Sequence, residues 1–147
     1  VPYVFEIAGD GPYKMEMEER MRESKWDEHV YFLGVLERRC IPEFWKRQDI
    51  CVNLADYEGR SITIIEAMGN GAVPVVTATS GVHDDIVEGE NGFIIPLEDY
   101  DAAAIKIQYL EAHRERLSKM GKMAHDAVYP KSLMEPHMEF WKRILFI

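Results

Sequence analysis

Short apolar runs alternate along the chain with longer stretches in which apolar and charged residues are mixed. The short runs, bounded by glycine, proline or charged residues, have the length and composition of buried strands. The mixed stretches have the composition of helices. The pattern predicts strands at residues 4–8, 30–33, 50–54, 73–77 and 93–95. It predicts helices at residues 13–25, 42–47, 61–69, 82–87, 101–113, 115–127 and 135–146.

This alternation of strand and helix favours a parallel sheet with helices on both faces. Connections between parallel strands are right-handed, so the predicted fold is α/β, a doubly wound, Rossmann-like structure of three layers. Ligands bind such sheets outside the carboxyl ends of the strands. The loops of functional interest are therefore those at residues 9–12, 34–38, 55–61 and 77–81.

Composition narrows the class of protein. With 147 residues and 47% apolar content, the chain is most simply one domain with its own core. It has no run of 18 apolar residues and no signal-peptide pattern at its start, so a cytoplasmic location is expected. A net charge of −9 argues against nucleic acid as a partner. Cys40 and Cys51 are expected to be buried free thiols, although their spacing also allows a disulfide.

Residues 56–69 carry the clearest chemical signal, because they lead from the carboxyl end of a strand into a helix. Ser61 is a candidate N-cap, Gly59 allows close approach of a ligand, and uncapped amides at a helix start bind anions. Glu66 lies among apolar helix residues, where a carboxylate needs hydrogen-bond donors such as a ribose diol. The alternatives are a bond from Glu66 to a neighbouring loop and, for Glu58, a solvated carboxylate.

Seven residues separate Glu58 from Glu66, and Glu66 opens a Glu-Ala-Met run that is followed by Gly-Ala-Val-Pro-Val-Val. Here the sequence resembles the group 1 (family 4-like) glycosyltransferases of the GT-B fold, whose C-terminal domain carries a Glu-x7-Glu motif. Further markers of that family stand in order at residues 8–12, 30–34 and 89–96. The resemblance implies that residues 1–147 are an incomplete C-terminal half of a GT-B fold. The N-terminal acceptor domain and the first strand–helix unit are expected to lie outside this chain.

The resemblance also implies roles for individual residues. Glu66 would bind the ribose hydroxyls of the nucleotide, and Glu58 would be the catalytic residue beside the donor sugar or its phosphate. Gly9 and Gly11 would line the floor of the cleft, with a plain turn between strand and helix as the alternative. The other implied donor-binding residues are Gly59, Arg60, Ser61 and Ile62 between the two glutamates, and Gly34, Val35 and Leu36 beside the base.

The implied reaction transfers a sugar from a nucleoside diphosphate sugar to an acceptor hydroxyl, with retention of configuration and without cofactor or metal. Helix-start amides and cations would stabilise the departing diphosphate. Asp84 and Asp85 are expected to have a structural role at a helix start, not a metal-binding one. Polysaccharide biosynthesis is the family-level expectation, and peripheral attachment of the parent enzyme to a membrane stays open.

The sequence departs from the family pattern in the loop between the glutamates. It reads Glu-Gly-Arg-Ser, where the family usually has Glu-Gly-Phe-Gly, so Arg60 either reaches a phosphate or is an exposed loop residue. Without a first strand, the isolated chain is expected to be inactive and to self-associate or expose an apolar strand edge. The alternatives to a transferase are another GT-B enzyme, such as a nucleotide-sugar 2-epimerase, and a non-catalytic nucleotide-binding module.

Overall fold

The computed structural model of the protein describes residues 3–24 and 28–132. The chain forms two compact units, Val1–Ile41 and Pro42–Ile147, and each is described here by itself. The helix expected at residues 135–146 lies outside the described residues. No helix in the described ranges combines the length and the apolar character needed to cross a membrane.

The first unit is a β-α-β element, as the sequence predicts. Strand β1 (Phe5–Ala8) and strand β2 (Val30–Gly34) pair in parallel, and helix α1 (Lys14–Ser24) connects them. Helix α1 has no buried residue. Its surface carries ion pairs one helical turn apart, for example between Arg20 and Glu16, which is typical of a helix largely exposed to solvent.

The second unit is a parallel three-stranded sheet in the order β3-β4-β5, with helices packed on it. The strands are β3 (Ile50–Asn53), β4 (Val73–Thr77) and β5 (Phe93–Ile95). The helices that pack on this sheet are α3 (Ile62–Gly69), α4 (Tyr100–Ala112) and α5 (Arg114–Ser132), and a short helix α2 (Ile41–Trp45) precedes β3 in the chain. All five predicted strands and the Rossmann-like α/β class are thus confirmed, and the strands pair within each unit.

One predicted helix is wrong. Residues 82–87 were expected to be helical, but only Val82–Asp84 form a single 3-10 turn. The physical reason is a competing side chain, because Asn91 accepts a hydrogen bond from the Val87 amide and donates one to the Asp85 carbonyl. These bonds close residues 85–91 into a loop and replace the hydrogen bonds that a helix would have made.

Strand β4 is the centre of the core, and every residue of it is buried. Val73 and Val75 belong to one apolar cluster with Leu110 and Met120, whereas Val76 belongs to a second cluster with Met68, Ala124 and Val128. The alternation follows from the two-residue period of a strand, and the continuous apolar sequence follows from burial on both faces. Helix α5 supplies residues to both clusters.

A close backbone contact lies where α5 passes from one cluster to the other. A Cβ atom on Gly121 would overlap the carbonyl oxygen of Gly71, which sits in the turn before β4. Glycine is therefore required at position 121 to let the helix approach this turn. By contrast, a Cβ atom on Gly69 in α3 would meet nothing closer than a methyl group of Val128 at 3.9 Å.

The two cysteines are both free thiols, so the expectation of no disulfide is confirmed. The expectation of burial is confirmed for Cys51, in β3, and wrong for Cys40, which is exposed. Cys40 lies in a short 3-10 turn (Arg38–Cys40) that buries none of its residues. Burial raises the pKa of the Cys51 thiol to about 12, which keeps it protonated and unreactive.

Replacing Gly121 by alanine is expected to lower the free energy of unfolding by roughly 1–3 kcal/mol, because the methyl group must displace backbone. The matched control is Gly69→Ala, which adds the same methyl group where there is room. Urea denaturation of the two variants and the wild-type protein measures the difference. Equal losses in both variants would contradict the packing described for α5.

Candidate functional site

The β3–α3 loop (residues 54–61) begins at the carboxyl end of β3 and lies against the loop that follows β4. Its start is shaped by Asn53, whose side chain accepts a hydrogen bond from the Ala55 amide. The Thr77 hydroxyl donates to the Ala55 carbonyl, and the Ser80 hydroxyl donates to the Glu58 carbonyl at 3.1 Å. Two of the predicted functional loops thus meet at one edge of the sheet, as expected for parallel strands.

A backbone contact between the two loops orients one peptide group. Gly81 has φ of 85°, and a Cβ atom built on it would lie 2.7 Å from the Gly59 oxygen and 3.3 Å from the Gly59 carbonyl carbon. The Arg60 Cα lies 3.4 Å from the same Cβ position, so the edge of the Gly59–Arg60 peptide that carries the carbonyl oxygen faces Gly81. Because a trans peptide is planar, the N–H of Arg60, in the same peptide group, points away from Gly81.

The start of helix α3 leaves amide groups without an acceptor inside the helix. Ser61 occupies the N-cap position in an extended conformation, as predicted, but its side chain makes no capping hydrogen bond. The first amide to reach back is that of Ile65, which donates to the Ser61 carbonyl at 3.2 Å. The N–H groups of residues 62–64 therefore project from the helix start and create a positive potential there.

The two motif glutamates differ in their surroundings. Glu58 is half-buried, and its Oε1 accepts a hydrogen bond from the Gly59 amide at 3.1 Å, so it is not the fully solvated carboxylate of the alternative. Glu66 is half-buried between the buried residues Ile64 and Ala67. Its carboxylate makes no hydrogen bond or ion pair with any described residue, although its carbonyl accepts one from Asn70. The alternative of a bond to a neighbouring loop is therefore not observed in the described part of the chain.

Arg60 is held by a carboxylate on the segment after β4. Its Nε and Nη2 donate to the two oxygens of Asp85, each at 2.9 Å. The Asp85 side chain is 5% exposed and the Arg60 side chain 53% exposed. The hydrogen bond and the charge of Asp85 both raise the pKa of the Arg60 guanidinium. Asp85 follows the 3-10 turn Val82–Asp84, so the expectation of a role at a helix start is corrected to a partner for Arg60.

The remaining predicted donor-binding residues belong to the first compact unit. Gly9 and Gly34, at the carboxyl ends of β1 and β2, are joined by a hydrogen bond of 2.8 Å from the Gly9 amide to the Gly34 carbonyl. The Gly11 amide donates to the side chain of the preceding residue, Asp10, at 2.8 Å. Val35 is exposed and Leu36 half-buried.

The sequence did not predict the partners of the β3–α3 loop, namely Thr77, Ser80 and Asp85. For Thr77 and Ser80 the available signal was their place in the predicted loop at residues 77–81, at the end of a strand expected to be parallel to β3, and no signal indicated Asp85. In the described ranges, no three His, Cys, Asp or Glu side chains cluster in a way that could hold a metal ion. The roles assigned to Glu58, Glu66 and the loop amides stay predictions at this point.

Comparison with known proteins gives relatives in both sequence and structure. The family model described as "Glycosyl transferases group 1" matches residues 1–127. Trehalose synthase from Pyrococcus horikoshii is 32% identical over 113 residues, which is 77% of this chain and 26% of that protein. The chain thus spans about a quarter of the length of the trehalose synthases it matches.

Two solved structures illustrate the likeness in fold. Anabaena HepE, crystallised in complex with UDP, superposes with a TM-score of 0.88 at 18% identity over 99% of this chain and 41% of that one. The C-terminal domain of the group 1 family protein LpcC from Francisella tularensis superposes with a TM-score of 0.76 at 24% identity, over 83% of this chain and 63% of that one. At these identities the structures support the fold, and the family match covers most of the chain. The protein therefore belongs to the group 1 glycosyl transferases.

Proposed function

We propose that this chain is the donor-binding part of a retaining glycosyltransferase, which transfers a sugar from a nucleoside diphosphate sugar to an acceptor hydroxyl. The observation that carries the proposal is Glu66, a half-buried carboxylate without a partner among the described residues. It lies one helical turn after the open amides at the start of α3. A ligand with a diol next to an anionic group would satisfy both features.

The diol in this proposal is the ribose of the nucleotide. A carboxylate accepts two hydroxyl donors, and hydrogen bonds to a charged acceptor are roughly twice as strong as those between neutral groups. Glu66 stands among buried apolar residues, where bonds of this kind gain strength because little water competes for them. Glu66 would therefore fix the nucleotide and orient the diphosphate toward the helix start.

The anionic group is the diphosphate, which gains negative charge as the sugar departs. The N–H of Arg60 and those of residues 62–64 are fixed donors, and the α3 dipole adds a positive potential. Such preorganised donors stabilise a developing charge without reorganising during the reaction. The proposed mechanism needs no divalent metal, because these donors supply the positive potential. HepE, with the same fold, has been crystallised with UDP, the diphosphate product of such a transfer.

Glu58 is proposed to act beside the sugar. One of its oxygens is held by the Gly59 amide, which fixes the carboxylate on the loop, while the other has no partner among the described residues. A carboxylate placed there stabilises positive charge that develops on the sugar ring as the bond to the diphosphate breaks. The complete activity also requires an acceptor, which we propose is bound by parts of the enzyme outside this chain.

The Glu66 assignment is tested by titrating UDP-, GDP- and ADP-sugars against the full-length enzyme. Glu66→Gln is expected to weaken the preferred donor roughly 10- to 100-fold, or about 1.4–2.8 kcal/mol, because the ribose loses a charged acceptor. The loss of affinity caused by Glu66→Gln should be smaller when the donor carries 2′-deoxyribose in place of ribose. Glu115→Gln, at an exposed glutamate of α5, is the matched control and should bind like wild type.

Two results would overturn this assignment. One is the absence of binding for all three donor series, which would remove the proposed function altogether. The other is binding that does not respond to Glu66→Gln, which would place the nucleotide elsewhere. A 2-epimerase would be recognised by its product, since it alters the sugar of the donor and leaves any acceptor unglycosylated.

Glu58→Gln is expected to lower kcat of the full-length enzyme roughly 100-fold or more with a small change in donor KM, because the carboxylate acts in the transition state. Proton NMR of the glycosylated product gives its anomeric configuration, which should be the same as that of the donor sugar. An inverted product would contradict the proposed reaction. A variant that changes only KM would make Glu58 a binding residue.

A further inference from the structure

The ion pair between Arg60 and Asp85 joins two segments that are 25 residues apart in the sequence. Both bonds run from the guanidinium edge to the two carboxylate oxygens at 2.9 Å, which is the parallel two-point geometry that fixes orientation as well as distance. The Arg60 amide belongs to the proposed donor site, and Arg60 directly precedes Ser61, the N-cap of α3. The pair therefore links the proposed donor site to the β4–β5 connection (residues 78–92), on which Asp85 lies.

The Asp85 end of this pair is firmly anchored. The Asp85 carbonyl accepts a hydrogen bond from the buried side chain of Asn91, which also accepts one from the Val87 amide. Val82 and Ile86, which lie on either side of Asp85 in the sequence, are buried in an apolar cluster with Ile64 of α3. Asp85 thus presents its carboxylate from a segment that is fixed by packing and hydrogen bonds on both sides.

The Arg60 end lies on a loop with few other constraints. Tyr57, Gly59 and Arg60 are exposed, and the loop is otherwise held to the β4–β5 connection by the Ser80 hydrogen bond and the contact of Gly59 with Gly81. An exposed loop must be ordered before its amides can bind a ligand, and order that exists before binding improves affinity. The ion pair supplies such order at the residue directly before the N-cap.

We propose that Arg60 and Asp85 act as a positioning pair, which holds the Arg60 amide and the amides at the start of α3 in the orientation that binds the diphosphate of the donor. The inference rests on the proposed function. Arg60 in this role does not bind phosphate through the Nε–Nη2 edge of its guanidinium, which bonds Asp85. A phosphate that took this edge would deprive Asp85, almost fully buried, of its bidentate cationic partner, and separating a buried charge from its partner is strongly unfavourable.

The dissociation constants of UDP and uridine, measured for Arg60→Met, Asp85→Asn and the double variant, separate positioning from direct contact through the edge that bonds Asp85. GDP and guanosine replace UDP and uridine if the wild-type protein prefers guanine. Positioning predicts that Arg60→Met and Asp85→Asn each weaken UDP about tenfold, and that the double variant is no weaker than either. Uridine affinity should not change, because the amides contact the diphosphate. Arg114→Met, which breaks the exposed pair with Asp49, is the matched control.

Direct contact between phosphate and the Nε–Nη2 edge of Arg60 predicts a different pattern. Asp85→Asn would then release the guanidinium and leave UDP affinity equal to or above that of wild type, which would overturn the proposal. Equal losses for UDP and uridine would also overturn it, since they would indicate general destabilisation. Absence of wild-type binding would overturn the proposed function and this inference together, whereas wild-type binding with unaffected variants would overturn this inference alone.

A measurement without ligand covers the case in which Asp85→Asn does not fold. Arg60 is exposed, so Arg60→Met removes little packing, and backbone amide ¹⁵N relaxation can be compared with that of the wild-type protein and of Arg60→Lys. Positioning predicts lower order parameters at residues 59–62 in Arg60→Met, with a smaller decrease in Arg60→Lys. Unchanged order parameters in Arg60→Met would overturn the proposal.

Discussion

The parallel pairing of β3 with β4 is the constraint on which the candidate site depends. Its register sets Asn53 opposite Val76, so both strands end at the same level and their following loops meet. The hydrogen bond from Thr77 to the Ala55 carbonyl is the first contact beyond the strands. A shift of β4 by one residue would move each of its side chains to the opposite face of the sheet. Both faces pack against apolar clusters, so this shift would disrupt both of them. Burial of β4 thereby fixes the position of the β3–α3 loop.

The rest of the site is built outward from this edge. The β3–α3 loop is held against the β4–β5 connection by Ser80, Gly81 and Asp85, and it ends at the open amides of α3. These contacts leave the N–H of Arg60 and the N–H groups at the start of α3 without an acceptor in the described part of the chain. The carboxylate of Glu66 follows one helical turn later. Local geometry of the backbone therefore places the amide donors and the Glu66 carboxylate, to which the proposal assigns the diphosphate and the ribose.

Most of the fold was predictable because its elements are encoded locally. Residues 73–77 and 93–95 were predicted as strands with the bounds that the structure shows, since short apolar runs between glycine, proline and charged residues suit buried strands. Residues 82–87 were wrongly predicted as a helix, because Asn91 bonds their backbone from several residues away. Cys40 was wrongly predicted as buried, because composition does not reveal which apolar residues a short turn leaves exposed.

The candidate site was predictable only in part. The spacing of Glu58 and Glu66 located the strand–loop–helix unit, and the N-cap position of Ser61 followed from the residue types. The pairing of Arg60 with Asp85 could not be derived, because it joins residues 25 positions apart and depends on how two loops meet. Its only trace in the sequence was an arginine where the family has phenylalanine, together with an acidic residue after the neighbouring strand.

The proposed binding site for a nucleoside diphosphate is the β3–α3 loop together with the start of α3. An amide NMR titration of the protein with UDP, repeated with GDP and ADP, tests this site directly. The largest shift changes are expected at residues 59–63 and around Glu66. Changes concentrated instead in the groove lined by Phe93, Tyr109 and Arg116, or no changes with any of the three nucleotides, would contradict the proposed site.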